Sequence, residues 1–73
     1  MKLTQLGLNQ TQITKPDGTI VFYSYNTPVA GYTREHGFVR TSKFFSKTTR
    51  RHVDKWLDGR DATLVPQEFL DNL

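Results

Sequence analysis

No cysteine occurs anywhere in this 73-residue chain, and that constrains its fold more than any other single feature. Chains near the lower size limit for independent folding often draw stability from disulfides or a thiolate-bound metal. Neither is open to this one, so hydrophobic patterning must hold a single domain, residues 1–73, unaided. The 36% hydrophobic and 12% aromatic content is too rich for a disordered tail. The lack of cysteine also agrees with a reducing cytosol. Met1-Lys2-Leu3-Thr4-Gln5 has no apolar core, so no signal peptide is expected. No apolar run approaches the ~20 residues of a membrane span.

Residues 3–8 are weakly patterned, with Leu3, Leu6 and Leu8 among polar neighbours. Lys15-Pro16-Asp17-Gly18 is a strong turn signal. Proline presets φ, aspartate bonds back to its own backbone and glycine accepts a positive φ. Thr19–Tyr25 carries β-branched and aromatic residues in succession. Residues 11–25 therefore read as a β-hairpin. Val29–Tyr32 is a third candidate strand, with Pro28 at its first position, and Arg34–Gly37 a further turn. Phe38–Phe45 is a fourth, whose mixed faces suit an edge strand guarded by Lys and Arg.

The period then changes. Ser46, Thr48 and Thr49 suit an N-cap and Gly59 the position after a helix. Val53, Trp56 and Leu57 fall at i, i+3, i+4. The spacing predicts a helix over 48–58. Residues 62–65 read as extended or loop, and Pro66-Gln67-Glu68 can open a short helix. The expected fold is α+β: a small antiparallel sheet of three or four strands, one helix packed across it and a short C-terminal helical turn.

Catalytic and metal chemistry find little support. There is no Cys-x-x-Cys pair, Gly-rich phosphate loop or His-Glu-x-x-His pattern. His36 and His52 are the only histidines, and their spacing suggests no zinc site. His52 and Asp54 point to different sides of a helix. No catalytic residue, cofactor or metal is expected, and the chain reads as a binding domain. His52, one turn before Trp56, reads as a half-buried, hydrogen-bonded residue at the edge of the core.

Charge is uneven. Residues 34–55 hold seven Lys/Arg against two Asp/Glu, while residues 56–73 hold one Arg against four Asp/Glu. A basic centre favours acidic partners: phosphate backbones or acidic protein surfaces. On the predicted helix Lys47, Arg51 and Lys55 form one row at i, i+4, i+8, and Arg50 and Asp54 are spaced to pair. Such a row serves solubility as readily as binding. The candidate partner-binding residues are Lys43, Lys47, Arg50, Arg51 and Lys55, with the polar N-terminal strand from Lys2 to Gln10 as a second contact or an added strand. Tyr23, Tyr25 and Tyr32 would stack nucleobases if exposed together, and pack in the protein if not.

Two segments carry a resemblance: Val21-Phe22-Tyr23-Ser24-Tyr25-Asn26-Thr27-Pro28-Val29-Ala30, and Phe45-Ser46-Lys47-Thr48-Thr49-Arg50-Arg51-His52 running into Lys55-Trp56-Leu57. The chain resembles a family of small uncharacterised bacteriophage proteins with a Tyr/Phe-Ser-x-Thr-Thr-x-x-His signature. In length and style it is also similar to a small phage regulator that binds bacterial RNA polymerase, inhibits initiation and promotes read-through of terminators. The resemblance implies a transcription regulator acting in the host bacterial cytoplasm through a protein–protein contact. The alternatives are a nucleic-acid-binding module and a virion or assembly component.

Overall fold

The structure, a computed structural model, describes residues 1–73. Six strands form one sheet in the order β1-β2-β3-β4-β5-β6. They are β1 Lys2–Gly7, β2 Gln10–Thr14, β3 Ile20–Ser24, β4 Thr27–Thr33, β5 Gly37–Thr41 and β6 Thr63–Val65. Strands β1 to β5 are an antiparallel meander. Helix α1, Lys47–Leu57, then carries the chain across the sheet, and β6 pairs parallel to β5. Helix α2, Gln67–Asp71, follows.

This corrects the expected sheet of three or four antiparallel strands with one helix across it. The sheet is mixed and twice as populated as the smaller expectation. Phe38–Phe45 is not an edge strand: it stops at Thr41, and β6 covers its free side. The two strands left out of the expected sheet are the outermost ones, β1 within the polar N-terminal strand and β6 within the stretch read as extended or loop. An edge strand with both faces open to water needs no clean alternation, and three residues are too few to show one.

Local chemistry fixes the elements that were foreseen. In the β2–β3 turn, Lys15 and Gly18 bond through their backbones, Gly18 takes φ 92°, and the Asp17 carboxylate accepts the Thr19 N–H at 2.9 Å. That bond holds the exposed Asp17 carboxyl below the ordinary carboxylate pKa. A folded-state pKa lowered in this way stabilises above the unfolded value, and the contribution drains as pH falls through the folded one. Asp17→Ala is therefore expected to flatten the acid limb of the stability curve below about pH 4, measured by urea unfolding across pH. The α1 N-cap is Ser46, whose Oγ accepts the Thr49 N–H at 3.1 Å. Asp58 closes the helix in the left-handed conformation, φ 51°, and Gly59 continues it at φ 81°.

Alternation along the strands sorts the core onto both faces. On one, Phe22 and Ala30 pack with Val53 and Leu57 of α1, and Phe22 stacks on Trp56 at 5.2 Å. On the other, Val39 and Val65 meet Leu70 of α2, with Phe69 and Leu73 alongside. Gly31 lies on this second face with Leu73 above it. A Cβ there would stand 2.6 Å from the Ile20 carbonyl oxygen, which is backbone on the neighbouring strand and cannot swing away. Gly31→Ala is thus expected to cost about 2 kcal/mol, seen as a lower urea midpoint at unchanged slope. No helix is long and apolar enough to cross a membrane.

Candidate partner-binding groove

Helix α1 docks on β3 and β4 and touches β5 through Phe38 and Arg40, which leaves the end of β5 and β6 only partly covered on the same face. Arg40 of β5 and Leu64 of β6 are register partners on that partly covered strip. The connection between β5 and α1, residues 42–46, arches past it. The result is a groove of about 430 Å³ whose lining includes Arg40, Lys43, Phe44, Phe45, Arg50 and Leu64, with Val53 at its floor. Three of these residues are cationic and none is acidic. Phe44 and Leu64 are each 65% exposed, a large apolar area to leave in water without a partner.

The charges are disposed unequally. Asp54 pairs with Arg40 at 3.0 Å rather than with Arg50. The sheet brings Arg40 beneath the helix, and that proximity is invisible to helix spacing. Arg50 consequently has no carboxylate partner and faces the groove. Lys43 lies over the Phe45 ring, 5.1 Å from its centroid, a cation–π contact that orients the ammonium without neutralising it. Anions entering the groove would meet Arg50 and Lys43 already aimed, beside apolar walls.

Of the five basic residues singled out from the sequence, Lys43 and Arg50 line this groove. Lys47, Arg51 and Lys55 do not; they are exposed along the outer side of α1, where they extend the positive field without converging on anything. Arg40, Phe44, Phe45 and Leu64 were not anticipated. Phe44 and Phe45 had a signal, two adjacent aromatics in a stretch with no apolar face to hide both.

Tyr23 and Tyr25 border one shallow depression with Leu3 and Ile13, and only Tyr32 lies apart from them. Tyr23 follows Phe22 on β3 and so points to the face away from α1. Tyr32 lies on the α1 side with its ring against Phe38 at 5.0 Å. Tyr25 sits in the β3–β4 turn at φ 59°. Two rings share a surface, and no row of all three is formed.

His52 and the hydroxyls form a closed network. Ser24, 2% exposed, lies 2.8 Å from His52 Nδ1 and 3.3 Å from Thr49 Oγ1, and Thr49 Oγ1 is 3.2 Å from Ser46 Oγ. With Ser24 buried, the serine and histidine tie the helix to the sheet. No three His, Asp or Glu side chains come together as a metal site. A second depression of similar size lies between the β2–β3 and β4–β5 turns and α2, but Arg34 there is offset by Asp17 and Glu35.

Comparison with known proteins gives one match. A family model described as "Family of unknown function (DUF8033)" covers residues 1–72. No curated protein and no solved structure matches the chain.

Proposed function

The chain belongs to that family of unknown function, DUF8033, so relatives lend it no activity, and we propose from its own surface that it is a non-catalytic module that binds an acidic segment of a protein partner. The observation that carries this reading is the convergence of Arg40, Lys43 and Arg50 with Phe44, Phe45 and Leu64 in one groove. Cations beside exposed aromatics suit a segment that alternates carboxylates with apolar side chains. Desolvated aromatic anchors supply affinity in such contacts, while charge supplies orientation and on-rate. A nucleic-acid partner is less well served, because no tyrosine lines the basic groove, Tyr32 packs against Phe38, and a net charge of −3 over residues 56–73 opposes a phosphate backbone.

The specific partner we propose is bacterial RNA polymerase, with the chain acting as a phage regulator in the host cytoplasm. That identity rests on the sequence resemblance; the groove supports only the acidic protein surface. Binding of the purified chain to nuclease-treated RNA polymerase tests both. Retention of the complex, with affinity falling modestly as salt rises, is the expected result. Binding only to nucleic acid, with log affinity falling by about 0.9 per log salt for each phosphate neutralised, would overturn the protein-partner reading. Failure to bind polymerase, alongside binding to acidic-aromatic peptides, would overturn the polymerase alone.

A further inference from the structure

The strand at the opposite end of the sheet, β1, pairs on one side only. Native edge strands are usually short, charged or broken by proline, because open N–H and C=O groups recruit other chains. At six residues β1 is not short, contains no proline and has one charge, Lys2. A bulge at Leu6, between the paired Gln5 and Gly7, is its one blunting feature. Leu3 is 66% exposed and Leu6 48%. Residues 1–14 hold no charged side chain other than Lys2, in a chain whose cations gather around α1 and the far end of the sheet.

We propose that β1 is a self-association edge, pairing antiparallel with β1 of a second copy of this chain to make one continuous twelve-stranded sheet from two sixes. The argument for a second copy lies in register and charge. A two-fold axis normal to the sheet sets residues of equal parity opposite each other. Centred on Thr4, it puts Thr4 opposite the second copy's Thr4, Leu3 opposite Gln5 and Lys2 opposite Leu6. The two lysines then stand four residues apart along the strands, roughly 13 Å, beyond the screening length at physiological salt. The two threonines form a favoured cross-strand pair, and the two Leu3 side chains meet on the diagonal.

Leu3 also has Ile13 and then Val21 as its neighbours across β2 and β3. The axis therefore joins two half-exposed apolar rows into one stripe, Ile13–Leu3 running into Leu3–Ile13. A charged partner would find only Lys2 to pair with on this edge, whereas an identical one completes both its hydrogen-bond ladder and its apolar row. The groove lies at the β5–β6 end, so dimerisation leaves it open and gives the assembly two outward-facing copies of it.

Sedimentation equilibrium of the full chain from about 1 µM to 1 mM tests the proposal. The expected result is a concentration-dependent shift from the 8.5 kDa chain mass to twice that value. Leu3→Lys and the double variant Leu3→Lys/Leu6→Lys, both at exposed positions, should remain monomeric with an unchanged circular dichroism spectrum. Lys43→Glu/Arg50→Glu should dimerise as the parent does. A mixed sample of labelled and unlabelled chain should give an intermolecular NOE at Thr4. A parent that is monomeric throughout would overturn the proposal and leave the edge to an extended segment of another protein. A dimer that survives both leucine variants, or that is lost with the groove charges, would overturn it as well.

Discussion

Phe22→Ala is expected to leave much of the chain unfolded at 25 °C. Phe22 is fully buried at the centre of the α1-facing core. Truncating a buried phenylalanine costs about 3–5 kcal/mol through lost transfer free energy and the cavity left behind. Domains are stable by roughly 0.05–0.15 kcal/mol per residue, which for a chain of this length is about 4–11 kcal/mol. The loss therefore consumes much or all of the margin. The site cannot collapse easily, since Phe22 is the ring on which Trp56 stacks and Trp56 is itself held by its indole N–H donating to Gln12 at 2.9 Å. Urea unfolding followed by Trp56 fluorescence measures the effect. A loss below about 1 kcal/mol would mean that the helix does not depend on this contact.

Lys43→Glu/Arg50→Glu should abolish partner binding while leaving the fold intact. Neither side chain makes an ion pair, so reversing their charge breaks no salt bridge and gives up only the exposed Lys43–Phe45 cation–π contact. Against an acidic segment, two attractions become two repulsions, each worth several kcal/mol where the contact is desolvated. A loss of at least about 100-fold in affinity follows, since each 1.4 kcal/mol is tenfold. The matching reversal Arg51→Glu/Lys55→Glu, on the outer side of α1, should slow association a few-fold and change the dissociation rate little. Surface plasmon resonance against nuclease-treated polymerase separates the two. Equal effects from both pairs would mean that a diffuse field, not the groove, holds the partner.

The contrast between these pairs marks where sequence reading reached its limit. Helix spacing revealed the basic residues of α1 because i, i+4 geometry is local. Which of them converge on a site depends on what the sheet brings beneath the helix, and Arg40 lies ten residues before Arg50 on a different element. The same locality made Arg50 look like the partner of Asp54. The hairpin of β2 and β3 was legible because Pro16, Asp17 and Gly18 carry turn chemistry in their own side chains and backbones. Ser46 announced the helix in the same way. Strand β6 was legible only as extended or loop: what makes a strand of Thr63, Leu64 and Val65 is their parallel pairing with β5. Helix α2 was legible from Pro66 and Glu68, but its position on the face opposite α1 was not. Gln67, which bonds both the Pro28 carbonyl and Thr41, fixes that position through partners 39 and 26 residues away.

The parallel pairing of β5 with β6 bears on the order of assembly. Strands β1 to β5 meet their neighbours through short turns, so their loop-closure cost is small. Val39 and Thr63 can pair only after the whole of α1 has been spanned, which makes this the latest ladder to close and the earliest to open. The groove borders that ladder, with Leu64 as one wall. A bound segment would tie Leu64 to the helix and the loop before it, and binding to the closed form alone raises the free energy of opening. Amide hydrogens of Ser42 and the β6 strand, the former donating to Val65 at 2.9 Å, should therefore exchange fastest among the ladder amides of the free protein and slow most when the groove is filled.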